Sequence, residues 1–135
     1  ASHKLMKLLE NRPKLGHITT FGGNPVIASA CLATLREIRD SKLLKEISKK
    51  EALFRAELDH PKINSIQGKG LMLAPILENA EIVNQVVLKC IDKGLILFWL
   101  LWEKKALRIT PPLTITKKEI KKGCAIIRSV LDEIS

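Results

Sequence analysis

Residues 107–120, LRITPPLTITKKEI, contain the clearest change of secondary structure in the chain. The stretch opens with a predicted short strand at 107–109. The two prolines after it exclude further pairing there, because proline cannot donate to a sheet ladder. Thr116 and Glu119 have the spacing of a capping box, so a final helix is predicted at 117–133. A strand, a rigid bend and a helix in so short a stretch indicate a mixed α and β domain.

Upstream of this stretch, hydrophobic periodicity and cap residues predict the remaining elements. Asn24 and Asn79 each precede an apolar helical pattern, and Gly68 and Gly70 permit a turn between two apolar stretches. The predicted helices cover 3–11, 25–39, about 41–59 and 79–92, and the predicted strands form a hairpin within 63–77 and a segment at 95–98. This order predicts an α+β fold with a small, largely antiparallel sheet and helices packed on one face.

The composition is that of a globular protein, with 46% hydrophobic and 27% charged residues, which argues against disorder. The formal net charge is +9, but the basic residues are scattered at helix-like intervals, so we interpret them as solvated helix surface. A basic nucleic-acid-binding module is an alternative. Three Phe, two Trp and no Tyr leave little aromatic surface for stacking on bases, so no nucleic-acid partner is predicted.

The most apolar run is GLILFWLLW at residues 94–102. It is far shorter than the roughly 20 residues that a membrane-spanning helix needs, so no membrane partner is predicted. We interpret the run as a buried strand that continues into a loop. The first residues contain no long apolar segment of a secretory leader, and the chain begins without Met. These features are expected of a cytoplasmic protein and of a fragment.

The three cysteines, Cys31, Cys90 and Cys124, are far apart and belong to no metal-binding motif. Reduced thiols packed in the interior are therefore expected, and no metal site is predicted. The predicted helix at 25–39 is expected to bury one face, formed by Ile27, Ala30, Cys31, Thr34, Leu35 and Ile38.

Residues 17–25, HITTFGGNP, combine hydroxyl groups, two glycines and a helix N-terminus. Glycines allow a backbone to approach an anion closely, and the positive end of a helix favours phosphate or carboxylate. The alternative is a plain loop with a helix cap, which composition alone favours because such loops are common before helices.

Arg108 lies on the short predicted strand, just before the rigid pair Pro111 and Pro112. A guanidinium held in this way is well suited to bind a carboxylate through two parallel hydrogen bonds. The alternative is an ordinary surface salt bridge, which is the more frequent role of such an arginine.

Three blocks together resemble the class III aminotransferases, the group that includes acetylornithine and ornithine aminotransferases. HITTFGGNP at 17–25 is similar to their HxxTFGGNP segment, GKGLMLAPILE at 68–78 to their RGKGLM segment, and LRITPPLTITKKEI at 107–120 to their R-xx-PPL ending. The blocks occur in the family's order, and the resemblance covers essentially the whole chain. One departure is Gln67, which stands where the family commonly has arginine.

The resemblance implies a pyridoxal-phosphate enzyme of fold type I. Residues 1–24 would be a remnant of the large cofactor-binding domain and its phosphate loop, and residues 25–135 the small C-terminal domain. The Schiff-base lysine of the family lies upstream of the HxxTFGGNP segment, so no residue here is assigned as catalytic and the isolated chain is expected to be inactive. The whole enzyme would be a homodimer with shared active sites, transferring an amino group from an amino acid or ω-amine to a 2-oxo acid.

The resemblance also implies roles for individual residues. Thr20, with Thr19 beside it, matches the position that binds the cofactor phosphate of the neighbouring subunit, and Arg108 matches the arginine that binds the substrate carboxylate. His17 is expected to be structural, and the loop at 99–105 to influence substrate choice. A freestanding, non-catalytic binding domain of the same fold is the alternative. Without the large domain, apolar residues of the first helix and of 95–102 are expected to face water and to cause self-association.

Overall fold

The computed structural model describes residues 2–9 and 19–134. The chain divides into two compact units, an N-terminal unit of residues 1–41 and a C-terminal unit of residues 42–135. The assignment of residues 1–24 and 25–135 to two parts of a larger enzyme is a different division and stays a prediction.

The N-terminal unit contains the short helix α1 (His3–Met6), a 3₁₀ turn (Lys7–Leu9) and helix α2 (Pro25–Asp40). Helix α2 begins as predicted, because the Asn24 side-chain oxygen accepts hydrogen bonds from the backbone N–H groups of Val26 and Ile27 at 3.0 and 3.3 Å. The end of the first predicted helix, at 10–11, lies outside the described residues, as does His17.

The predicted core face of α2 is wrong for this chain. Of its six members only Ile38 is half-buried, and the other five are exposed. Cys31, expected in the interior, is likewise exposed. Helical periodicity identifies the face that a helix can bury, but it does not specify the surface that would cover this face.

The C-terminal unit contains three long helices and four strands. In chain order they are α3 (Leu43–Glu57), β1 (Ser65–Lys69), β2 (Met72–Ile76), α4 (Ala80–Asp92), β3 (Phe98–Trp99), β4 (Leu107–Arg108) and α5 (Lys117–Glu133). The predicted helices agree with these bounds to within two residues. The hairpin and the capping box are also confirmed: the backbone N–H of Glu119 donates to the Thr116 hydroxyl, and the backbone N–H of Thr116 donates to the Glu119 carboxylate.

The strands form a small antiparallel arrangement. β1 pairs with β2, and β3 pairs with β4. Antiparallel bridges from Leu73 to Ile109 and from Ile76 to Ala106 connect β2 to the β4 region. The spatial order within the described unit is therefore β1-β2-β4-β3, as the prediction of a small antiparallel sheet requires.

The core of this unit lies between the sheet and the apolar faces of α4 and α5. Cys90 and Cys124 are fully buried there, which confirms their predicted packing. Burial raises the pKa of the Cys90 thiol to about 11 and that of Cys124 to about 12. The fully enclosed side chains include Leu73, Leu77, Val83, Val86, Val87, Leu107, Val130 and Leu131.

The strand in the apolar run at 94–102 differs from the prediction, since it covers only Phe98–Trp99 rather than 95–98. Most of the run is exposed, as expected for the chain without the large domain: Leu97 is buried, whereas Trp102 is 94% exposed. The second predicted strand is also shorter, Leu107–Arg108, with Ile109 joined to Leu73 by a bridge. Hydrophobicity alone does not report whether a covering surface is present. None of the described helices has the length and apolarity to cross a membrane.

Candidate functional site

Arg108 is held by strands on both sides. It lies in β4 directly opposite Phe98 of β3. On the other edge, the next residue, Ile109, exchanges backbone hydrogen bonds of 2.9 and 3.0 Å with Leu73 of β2. The main chain of Arg108 is therefore fixed by pairing, and its side chain leaves the sheet on the same face as that of Phe98.

The guanidinium of Arg108 lies over an aromatic ring. Its central carbon lies 4.9 Å from the centroid of the Phe98 ring, which is the geometry of a cation–π contact. Within the part of the chain that the structure describes, no hydrogen bond or ion pair involves this side chain. The surface salt bridge that we considered as an alternative is thus not formed among these residues.

A groove of about 450 Å³ lies beside Arg108. Its walls are mainly apolar and come from the β3 segment, the residues after β4 and the N-terminal half of α5. Lining residues include Leu97, Phe98, Ile109, Pro111, Ile120 and Ile127. The groove can therefore contain a short carbon chain whose charged end meets the guanidinium.

Glu119 is the acidic residue in the wall of this groove, and it is engaged elsewhere. Its carboxylate accepts hydrogen bonds from the Thr116 hydroxyl at 2.7 Å and from the Thr116 backbone N–H at 2.8 Å. These bonds, the hydroxyl first, hold the pKa of Glu119 below its ordinary value. The carboxylate is thus ionised in the capping box and forms no ion pair with Arg108 in the described chain.

Lys50 fixes the segment that follows the two prolines. Its side chain is only 7% exposed, and its ammonium group donates a hydrogen bond of 2.7 Å to the carbonyl oxygen of Leu113. Glu46, one turn earlier on α3, lies 3.6 Å from the same ammonium group. Because Leu113 lies between the prolines and α5, this contact joins α3 to the segment that closes one side of the groove.

Thr19 and Thr20, the residues predicted to bind phosphate, lie at an exposed turn in the N-terminal unit. The backbone N–H of Gly22 donates to the carbonyl of Thr19 at 3.3 Å, and Gly23 has a φ of +78°. A β-carbon on Gly22 would lie 2.2 Å from the Thr19 hydroxyl oxygen. Glycine at this position therefore makes the space that the hydroxyl occupies.

The turn can offer hydrogen-bond donors to an anion, but these are the side-chain hydroxyls rather than the backbone N–H groups of the helix start. Pro25 has no N–H, and the Asn24 side chain already accepts from the first free N–H groups of α2. The helix start therefore offers its dipole rather than direct donors. No hydrogen bond of the Thr19 or Thr20 hydroxyl is present in the described residues, so both remain available to phosphate oxygens.

The sequence predicted binding roles for Arg108, Thr19 and Thr20 but gave no role to Phe98 or Lys50. Phe98 was assigned to a strand without a role, because its pairing with Arg108 depends on the register of two very short strands. Lys50 belongs to a lysine-rich helix and has no sequence feature that distinguishes it from its exposed neighbour Lys49. In the described ranges, no group of three or more acidic, histidine or cysteine side chains could hold a metal ion.

The sequence profile described as Aminotransferase class-III matches residues 1–131. The chain belongs to the class III aminotransferase family. It is 36% identical over 123 residues to the acetylornithine aminotransferase of Caldanaerobacter subterraneus subsp. tengcongensis, a match that covers 87% of this chain and 30% of the relative. It is 32% identical over 130 residues to the leucine/methionine racemase of Thermococcus litoralis, covering 87% of this chain and 29% of that protein.

A solved structure gives the same fold. The ornithine aminotransferase of Plasmodium yoelii superposes with a TM-score of 0.73 and 31% sequence identity, over 90% of this class III chain and 33% of the ornithine aminotransferase. The α+β architecture predicted for a part of a fold type I enzyme is thereby confirmed. The chain spans about a third of the length of the relatives that it matches.

Proposed function

We propose that this chain is the C-terminal part of a pyridoxal-phosphate-dependent aminotransferase that moves an amino group from an amino acid or ω-amine to a 2-oxo acid. The observation that carries the proposal is the Arg108 guanidinium, which lies beside an apolar groove and has no acidic partner among the described residues. A carboxylate of the donor or of the oxo acid supplies that partner.

Arg108 would act by binding and orienting the substrate. The guanidinium offers parallel N–H donors at its edge, which match the two oxygens of a carboxylate. The groove beside it would hold the carbon chain between this carboxylate and the reacting amino group. Holding the reacting bond in one orientation removes much of the entropy cost of the reaction, which is the contribution expected of such a residue.

Thr19 and Thr20 would contribute hydroxyl donors to the cofactor phosphate. Two unpaired hydroxyl groups at a glycine-shaped turn next to a helix start fit a phosphate group chemically. When bound, pyridoxal phosphate supplies the electron sink for chemistry at the amino-bearing carbon. Following the family resemblance, the phosphate belongs to the neighbouring subunit of a homodimer, and the enzyme is cytoplasmic.

The isolated chain is proposed to be inactive, because in this family the Schiff-base lysine belongs to the large domain upstream of residues 17–25. In this arrangement residues 1–24 are the end of that domain and residues 25–135 the small domain. The alternative is a non-catalytic binding domain, in which Arg108 would bind a carboxylate without any reaction.

Kinetics of the whole enzyme test the proposal. Amino transfer to a 2-oxo acid and change of configuration at the donor carbon are measured separately, since one relative is named a racemase. We expect amino transfer, and we expect Arg108→Ala to raise the KM for carboxylate-bearing donors at least tenfold, the scale of a lost charge-assisted pair. Racemisation without net transfer, or unchanged kinetics of Arg108→Ala on such donors, would contradict it.

A further inference from the structure

We infer that Phe98 is a positioning residue that presents the edge of the Arg108 guanidinium to the substrate carboxylate. The inference rests on the proposed function and adds a specificity element to it. The central carbon of the Arg108 guanidinium lies over the Phe98 ring, 4.9 Å from its centroid.

The contact between Phe98 and Arg108 follows from the backbone pairing of β3 with β4. Phe98 and Arg108 are direct partners in the antiparallel register of β3 and β4, so their side chains project from the same face of the strands. The backbone hydrogen bonds between Ile109 and Leu73 hold β4 from its other edge. The ring and the guanidinium are therefore brought together whenever the strands are paired.

A cation–π contact holds an arginine without pairing its five N–H groups with an acceptor oxygen. An ion pair with a protein carboxylate would hold the group equally well but would occupy the N–H groups at the edge of the guanidinium. Glu119, the acidic residue of the groove wall, is engaged by Thr116 instead. Phe98 thus restrains the long arginine side chain and leaves its binding edge free.

The half-exposed ring also closes one wall of the groove. A carboxylate that approaches Arg108 consequently meets an aromatic surface on one side, which excludes water from that side of the ion pair. Partial desolvation strengthens a charge-assisted hydrogen bond. The contribution of Phe98 should therefore be largest with substrates that place a carboxylate on Arg108.

The test compares two donors on the whole enzyme: an amino acid with a carboxylate at the far end and the amine that lacks this carboxylate. Phe98→Leu should raise the KM for the first donor about three- to tenfold, the scale of a partly desolvated cation–π contact, and should raise the KM for the second donor by a clearly smaller factor. Phe98→Tyr, which keeps the ring, should retain the wild-type KM. The inhibition constant of a short dicarboxylate without an amino group should follow the same order.

Two controls separate positioning from folding. Phe98→Met is a second variant of similar size without a ring and should behave as Phe98→Leu. Met72→Leu changes an exposed apolar side chain of β2 that does not line the groove, and it should leave the ratio of the two KM values unchanged.

The inference is overturned if Phe98→Leu leaves the carboxylate donor unaffected, if both donors weaken equally, or if Phe98→Tyr loses as much as Phe98→Leu. Its failure is distinct from failure of the proposed function. Only Arg108→Ala reports on the carboxylate site itself, so a strong effect of Arg108→Ala with no effect of Phe98→Leu would reject the positioning role alone.

Discussion

At the residue scale, two glycines of the C-terminal unit differ in backbone conformation and in the space that a β-carbon would have. Gly68 lies at the hairpin end of β1 with a φ of +97°, and a β-carbon there would be 2.0 Å from the Met72 carbonyl oxygen. Gly123 lies inside α5, where a β-carbon would meet the nearest atom, the Leu95 Cδ1, at an ordinary 3.7 Å. The same substitution should therefore have opposite effects at the two positions.

Gly68→Ala should destabilise the chain by about 1–3 kcal/mol or more, because it adds a backbone collision to an unfavourable φ. Gly123→Ala should stabilise it by roughly 0.5–1 kcal/mol, since glycine loses more conformational freedom in a helix than alanine does. Urea unfolding of the two variants beside the wild type measures both effects. A stable Gly68→Ala, or a clearly destabilised Gly123→Ala, would contradict the described packing.

At the element scale, α3 holds the hairpin of β1 and β2 through Glu51 and Arg55. The Glu51 carboxylate accepts from the Gly70 backbone N–H at 2.6 Å and from the Arg55 guanidinium at 3.0 and 2.9 Å. Arg55 in turn donates to the carbonyl oxygens of Ile66 and Gly68 at 2.6 and 2.9 Å. These bonds lie on either side of Gln67, where the family commonly has arginine.

This attachment should make stability depend on pH. The hydrogen bond from Gly70, and then those from Arg55, hold the pKa of Glu51 below its ordinary value. Because the folded-state pKa is the lower one, the stabilisation is fully present above the unfolded pKa of about 4.3 and is lost as the pH falls through the folded pKa. Glu119 and Glu133 have lowered pKa values too and act in the same direction.

Glu51→Gln should lower the urea midpoint at about pH 7 and have a smaller effect at about pH 3, because the stabilisation decreases as the pH falls through the lowered folded-state pKa. The exposed Glu78, for which the structure shows no hydrogen bond or ion pair, provides the control variant Glu78→Gln. Unfolding curves of the three proteins at both pH values give the comparison. An equal loss at the two pH values would show that the charge of Glu51 is not the stabilising feature.

At the scale of the whole molecule, the sequence predicted elements better than their environment. The caps at Asn24, Asn79 and Thr116 depend on neighbouring residues, and all three formed as expected. The face of α2 depends on a distant surface, and it was predicted buried but is largely exposed. Most of the apolar run at 94–102 is exposed too, as expected without the large domain. Local chemistry is encoded at short range, whereas burial requires a partner that periodicity does not specify.

The candidate site shows the same distinction. The prolines after Arg108 pointed to a fixed guanidinium, but its predicted role in carboxylate binding came from the family resemblance and stays a prediction. Its partner Phe98 could not be predicted, since the contact depends on a two-residue strand pairing across a loop of seven residues. The buried ammonium of Lys50 was equally unpredictable, because only the tertiary structure brings it to the Leu113 carbonyl.

Large exposed apolar side chains should make the isolated chain associate with itself. Trp102 and Leu101 are 94% and 82% exposed, and Val26 of α2 is 76% exposed. Patches of this kind are rarely left open to water. Sedimentation of the 135-residue chain should show a mass that grows with concentration, and Leu101→Gln combined with Trp102→Gln should reduce it.

The control for association is Lys104→Gln in the same loop, which removes no apolar surface and should leave the association unchanged. A clean monomer of the wild-type chain at high concentration would contradict the expectation.

The Arg108 guanidinium is expected to bind a carboxylate that comes from outside this chain. Calorimetric titration of the whole enzyme with a short dicarboxylate that has no amino group tests this in wild type, Arg108→Lys and Arg108→Ala. Binding should weaken at least tenfold in Arg108→Ala and by a smaller factor in Arg108→Lys, which keeps the charge but not the two parallel donors. Equal affinity in all three proteins would contradict it.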